Sequence, residues 1–313
     1  MKKIVWIDEE ELNKINWIKK YNKACRKWKD RSPDEISLFY SYFTIKEHQK
    51  FTEEICKKIG VKLKGNGLEI GSGPGILSNS ILNTFDSVKK IYLLDKVPEV
   101  YNLMKKVALK NINKLECVIG SFDDLKFEDE SLDFVLDFDS IHHSTDFDLT
   151  FKEISRVLKP NGILLCFDRA QPNYISKKQI NYMLNLEYTD NYKRENDIEL
   201  NTRFTRRMNG ETEPSLKLWK TTAAKYELES KIYIFHKKNI KNFIRSLYGL
   251  IVPFFIKRML KKGLNITTHY QLILNYFGIN FFNNIRVFKL NYIIKSDRSP
   301  RAKMIFLFKK KAQ

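Results

Sequence analysis

The chain has 313 residues, 43% of them apolar and 30% charged, which excludes a disordered or fibrous chain and allows a sizeable core without disulfide or metal staples. Its net charge of +19 is unevenly placed: residues 1–170 hold 28 basic and 27 acidic side chains, residues 171–313 hold 28 and 10, and after Glu229 the only acid is Asp297. A balanced first half followed by a cationic second half points to a partner carrying negative charge.

In chain order, Ile4-Val5-Trp6-Ile7 runs straight into four acids, which does not fit a signal peptide. Residues 9–30 read as a helix with Ile15, Trp17, Ile18, Tyr21 and Trp28 on a rough stripe. Ser32-Pro33-Asp34-Glu35 is a turn and a helix start. A further helix over about 46–60 places Phe51, Ile55 and Ile59 on one face and ends at Gly60. From there strands and helices alternate. Strands are expected near 66–70, 91–95, 115–119, 132–138 and 163–167, with helices near 75–84, 98–111 and 147–158 between them. That rhythm predicts right-handed crossovers and a doubly wound, mostly parallel α/β sheet. Past residue 170 the rhythm changes. A helix starts at Pro214-Ser215, and Met304 to Phe308 is a closing strand. The strand beside it is either 231–236 or 285–294. The longest apolar run, Leu247 to Ile256, is broken by Gly249 and Pro253 and is too short to span a bilayer. Cys25, Cys56, Cys117 and Cys166 form no Cys-x-x-Cys pair, so reduced, buried thiols and a cytoplasmic setting are expected, with no metal.

The most informative stretch is Leu68-Glu69-Ile70-Gly71-Ser72-Gly73-Pro74-Gly75, an apolar strand that ends in a glycine turn. Asp95 closes the next strand. Glycines at 71, 73 and 75 let a ligand lie against bare main chain. Pro74 removes one amide donor, which suits a nucleoside without a pyrophosphate better than a dinucleotide. A carboxylate at 95 suits the vicinal hydroxyls of a ribose, because it accepts two hydrogen bonds at once.

Three further motifs follow: Gly120-Ser121-Phe122-Asp123-Asp124-Leu125, then Ser131-Leu132-Asp133-Phe134-Val135 running on to Ile141-His142-His143, then Glu153-x-x-Arg156-Val157-Leu158-Lys159-Pro160-Asn161-Gly162. With the glycine turn and Asp95, in this order, they resemble the class I S-adenosylmethionine-dependent methyltransferases, in particular the type 11-like small-molecule group, over about residues 46–170. The resemblance implies a Rossmann-like sheet of seven strands with N-terminal helices and a helical lid insertion. It implies S-adenosyl-L-methionine as cofactor, held by Glu69, Gly71, Ser72, Gly73 and Gly75 at the turn, by Asp95 and Lys96 at the second strand, and by Ser121, Phe122 and Asp137 beyond it. Ser121 stands where the family usually has an acid for the adenine amino group, and Asp123 is a neighbouring substitute.

Asp137-Phe138-Asp139-Ser140-Ile141-His142-His143 follows the fourth strand, at the sheet edge where ligands sit. His142 or His143 is the candidate base for an acceptor hydroxyl, with Asp139 orienting it. No Asn/Asp-Pro-Pro-Tyr/Phe follows that strand and no Pro-Cys pair is present, which leaves an oxygen nucleophile favoured by elimination. The expected organisation is a helical cap at 1–60, a cofactor core at 61–170, a basic lid at 171–300 and a last strand with a basic tail at 301–313. Residues 237–262 interleave bases with aliphatic and aromatic side chains, which suits a cap, with peripheral contact to anionic membrane or a lipid-linked substrate, more than nucleic acid. The expected reaction is O-methylation of a small molecule, such as a sugar or lipid-linked glycan intermediate. The alternatives are an RNA methyltransferase and a non-catalytic cofactor-binding protein docked to an anionic surface.

Overall fold

The computed structural model describes residues 1–41, 43–171, 176–236, 285–289 and 304–312. The elements begin with β1 (Lys2–Val5), α1 (Glu9–Lys14), α2 (Asn16–Trp28), α3 (Pro33–Ser41) and α4 (Ile45–Ile59). The alternating core is β2 (Gly65–Ile70), α5 (Ile76–Thr84), β3 (Val88–Asp95), α6 (Val100–Val107), β4 (Leu115–Ile119), β5 (Leu132–Phe138), α7 (Phe147–Val157) and β6 (Leu158–Asp168). Then come α8 (Lys177–Leu184), α9 (Asp190–Glu195), α10 (Leu216–Lys225), β7 (Leu228–His236), β8 (Ile285–Lys289) and β9 (Met304–Lys310).

The strands form one sheet in the order β1-β4-β3-β2-β5-β6-β9-β7-β8. β9 runs antiparallel to both of its neighbours, and the other pairings are parallel. Nine strands replace the expected seven. Of the two segments that competed for one place, both are in the sheet: β7 pairs β9, and β8 adds to the far side of β7. The other addition is β1, which extends the opposite edge by pairing Lys2–Val5 with Glu116–Ile119. The short apolar run at 4–7 is therefore a strand, too brief for alternation to reveal it.

The helix expected over 9–30 is two helices, because Ile15 is extended (φ −81°, ψ 118°) and breaks the first. α4 starts on a capping box, with Thr44 and Glu47 bonding each other's backbone, and stops at Gly60 in the left-handed region (φ 71°). Two apolar layers sandwich the sheet. On one face Leu77, Ile81, Leu103 and Phe134 pack with the N-terminal helices. On the other, Phe151 and Ile154 of α7 meet Trp219 of α10, whose fully buried ring stacks on Phe306 at 4.3 Å. No helix among the described residues is long and apolar enough to cross a membrane. Residues 237–262, the basic amphipathic stretch, lie outside the described residues.

Candidate active site

The crossover between β2 and β5, where successive strands depart in opposite directions, opens a crevice at their carboxyl ends. The glycine turn lies there. Gly71 has φ 55°, and a Cβ on it would stand 2.4 Å from the Ser140 Cβ, so only glycine fits between β2 and the loop after β5. Gly73, at φ 49°, would meet only the Tyr40 ring, at 3.6 Å, which leaves its main chain bare beneath that ring.

Asp95 ties this turn to β3. Its Oδ2 accepts the Gly73 N–H and its Oδ1 accepts the Val97 N–H, both at 2.9 Å. Asp95 is half-buried as a residue, and a carboxylate can accept further hydrogen bonds beside these two. Burial pushes its pKa up. Lys96 lies over the Phe122 ring at 5.8 Å beside it.

Other expected cofactor residues serve the frame. Glu69 is buried, and its Oε2 accepts the Ser78 N–H (3.0 Å) and hydroxyl (2.5 Å) in the first turn of α5; burial lifts it to about 8. Asp137 has no solvent exposure, so its expected direct contact with the cofactor gives way to support of the loop after β5. Its Oδ1 accepts from Ser140 N–H (3.1 Å) and Ile141 N–H (2.9 Å). Burial, then the charge of Asp168, pushes it well above the usual carboxylate range. Ser121 is buried and its hydroxyl accepts the Asp123 N–H at 3.2 Å. Asp123 in turn accepts the Thr150 hydroxyl at 2.5 Å, which anchors it to α7. Ser72 is buried and donates its N–H to the Leu94 carbonyl at 2.9 Å.

The histidines sit on a 3-10 turn, Ile141–His143, just after β5. Asp139, in the left-handed region at φ 62°, swings the chain into it. His142 is buried, and its Nδ1 meets Asp168 Oδ1 at 2.6 Å, while Asp139 Oδ1 is 3.9 Å away. The orienting carboxylate is therefore Asp168, not Asp139. Asp168 also accepts the His142 N–H at 3.0 Å through Oδ2, so one carboxylate fixes both the ring and its backbone. Burial, then the charge of Asp139, raises Asp168 to about 7. His143 lies with its ring 4.1 Å from that of His142. Burial, with the neighbouring His142 and Arg169 charges, drops its pKa to about 3, so it is neutral at pH 7.

Above His142 runs a strap from the insertion. Thr212 donates its N–H to the His142 carbonyl at 3.1 Å. Glu211 Oε2 lies 3.8 Å from His142 Nε2 and is held by Arg169 and by Arg206 (3.1 Å), while Oε1 accepts the Tyr188 hydroxyl at 2.6 Å. Glu213 pairs with Arg206 and accepts from Gln171. Asp139, His142 and Asp168, and separately His142, His143 and Glu211, bring ligand atoms together at metal-site spacing. Two guanidinium groups on Glu211 oppose a cation there. α2 reaches this strap too: the Tyr21 hydroxyl donates to Asn209 Oδ1 (3.3 Å), Lys23 pairs with Asp197 (2.7 Å) and Lys27 donates to the Arg194 carbonyl (3.0 Å).

Sequence reasoning missed Asp168, Arg169, Tyr188, Arg206, Glu211 and Glu213. One signal was present: Asp168 ends its apolar strand as Asp95 and Asp137 nearly end theirs.

Comparison with known proteins fits this geometry. Residues 68–166 match the family model described as "Methyltransferase domain". This match and the relatives below support a class I S-adenosylmethionine-dependent methyltransferase domain over these residues. Over 160 residues it is 24% identical to a demethylmenaquinone methyltransferase of Bacillus mycoides (strain KBAB4), covering 51% of this chain and 67% of that one. Against the demethylmenaquinone methyltransferase of Oceanobacillus iheyensis it is 26% identical over 143 residues, covering 45% and 60%. The chain thus spans about two thirds or less of these relatives. The fold is similar to that of a protein from Galdieria sulphuraria assigned as a sarcosine dimethylglycine methyltransferase (TM-score 0.51, 18% identity, 94% of this chain and 99% of that one). S-adenosylmethionine is the cofactor of the methyltransferase domain. The bare main chain at Gly73 and the Asp95 carboxylate beside it fit its adenosyl group, which needs no phosphate cradle.

Proposed function

We propose that this protein transfers a methyl group to a hydroxyl of a small-molecule acceptor, with His142 as the base. The cofactor supplies an electrophilic methyl on a sulfonium. The chain must then align a nucleophile and take its proton. Asp95 and the glycine turn hold the donor at the sheet edge. Glu69 and Asp137 act behind them, fixing α5 and the loop after β5. Phe122 and Lys96 flank the nucleoside side, and Ser121 with Asp123 shapes the wall beyond. The Asp168–His142 pair carries the reading. With Nδ1 bonded to Asp168, the proton of the neutral ring is held on that side and Nε2 presents a lone pair to the acceptor hydroxyl. Nε2 would take the hydroxyl proton as the acceptor oxygen bonds the methyl and the sulfonium–methyl bond breaks to leave a neutral thioether, and Asp168 would stabilise the resulting imidazolium. His143, neutral and touching His142, lines the pocket. The names of the curated relatives support a small-molecule acceptor. A sugar or lipid-linked glycan is one such acceptor, but the basic stretch that suggested it lies outside the described residues.

Two measurements test this. S-adenosylhomocysteine binding by calorimetry is expected in the full chain and in His142→Ala. Labelled-methyl transfer to a polar small-molecule pool is expected in the full chain and lost in His142→Ala. Transfer that survives the substitution removes His142 as base. Asp168 titrates near 7, so kcat/KM is expected to fall as pH drops below that value, and Asp168→Asn is expected to flatten that limb.

A further inference from the structure

Glu211 is an unusual neighbour for a base. A carboxylate stands 3.8 Å from His142 Nε2, in the space an acceptor must enter, and it is held as a ligand is held. Arg169 and Arg206 contact Oε2, and the Tyr188 hydroxyl donates to Oε1. We propose that the acceptor of this site carries a carboxylate, and that Glu211 occupies the position of that carboxylate until the acceptor displaces it. The proposal rests on the reading of His142 as the base.

Three observations carry it. The first is where the groups are mounted. Arg169 follows β6 directly and donates its N–H to Asp168 (2.7 Å), so it belongs to the frame. Glu211 belongs to the strap, directly after Gly210 in the left-handed region (φ 80°), where the backbone turns without Cβ strain. The second is spare capacity. The Nε–H groups of Arg169 and Arg206 are buried and make no hydrogen bond among the described residues, and the Arg206 side chain is only 7% exposed. A guanidinium has five donors, so the site is not saturated by the glutamates. The third is charge. Removing Glu211 alone would leave buried guanidinium charge uncompensated, which is strongly unfavourable. A neutral acceptor therefore cannot take its place, whereas a carboxylate exchanges like for like. Glu213 continues to hold Arg206 and Gln171 during that exchange. A planar carboxylate is favoured over a tetrahedral phosphate because the present occupant is itself a carboxylate.

The test uses the full chain saturated with S-adenosylhomocysteine, whose own binding is measured first. Failure of that step counts against the cofactor reading, not against this one. Glycolate, glycolamide and inorganic phosphate are then titrated at matched ionic strength and followed by ligand-observed NMR. Glycolate is expected to bind and glycolamide not to. Glu211→Gln, which removes the competing charge, is expected to tighten glycolate about tenfold, equivalent to about 1.4 kcal/mol. Arg169→Gln is expected to weaken it by at least as much. If Arg169→Gln fails to fold, the acid–amide pair and Glu211→Gln still decide. Equal binding of glycolate and glycolamide, binding of neither, or glycolate affinity unchanged or weakened in Glu211→Gln would overturn the proposal. Phosphate binding tighter than glycolate would overturn the choice of carboxylate.

Discussion

In the proposed reading, the donor side and the acceptor side of this crevice are built by different means. The donor side rests on the sheet: Gly73 and Val97 reach Asp95 through backbone N–H groups, and Gly71 is wedged against Ser140. Gly71, Gly73, Asp95 and Val97 lie within about thirty residues of sequence around one strand–turn–strand unit, and Ser140 closes on them from the loop after β5. The acceptor side is assembled from side chains. His142 meets Asp168 from the next strand, and Arg169 meets Glu211 across 42 residues of sequence. Backbone geometry makes the first side a property of the fold. The second depends on charge pairs, which can be rewritten without disturbing the sheet.

That contrast is open to attack. The largest expected effect is on turnover: His142→Ala should lower methyl transfer by about 10²–10⁴-fold, the usual worth of a positioned base. S-adenosylhomocysteine affinity should stay put, and calorimetry on the variant would show whether the two sides are separable. Conversely, Asp95→Ala should weaken S-adenosylhomocysteine by about 10–100-fold, since hydrogen bonds to a charged group are worth about 1.5–3 kcal/mol. Unchanged affinity would remove Asp95 from the donor side.

A smaller effect separates the two sides by pH. Folded His143 binds its proton near 3 instead of 6.5, so between those values the unfolded chain holds more protons. Its contribution is present in full above pH 6.5 and is lost as pH falls toward 3. Urea midpoints from pH 7 down to 4 should therefore decline less in His143→Gln than in the parent. Smallest of all, Tyr21→Phe removes the hydrogen bond from α2 to Asn209, at a cost of about 1 kcal/mol. Thermal unfolding with and without S-adenosylhomocysteine would show whether this contact tightens when the donor is present.

The contrast also explains what a reader of the sequence can see. The strand at 115–119, the glycine turn and Asp95 announce themselves, because a period, a turn residue and an acid occur at short range. β1 is invisible because four residues carry no period, whereas β8 is legible at 285–294 but only as a rival to β7, when the sheet holds both. α8 and α9 were missed although each has a local start signal: Ser176 forms a capping box with Gln179, and Thr189 caps the second helix. Proximity in sequence points to Asp139 as the partner of His142. Its left-handed backbone keeps its Oδ1 at 3.9 Å while Asp168 arrives from the adjacent strand, a pairing only the parallel register reveals. Arg169, Arg206 and Glu211 resemble solvated charges until folding buries them together.

α2 touches both chambers. The Glu99 N–H after β3 reaches its Asn22 side chain, while the flanking Tyr21 and Lys23 and the later Lys27 hold Asn209, Asp197 and the Arg194 carbonyl of the insertion. A displacement of this helix would therefore break contacts on both sides at once.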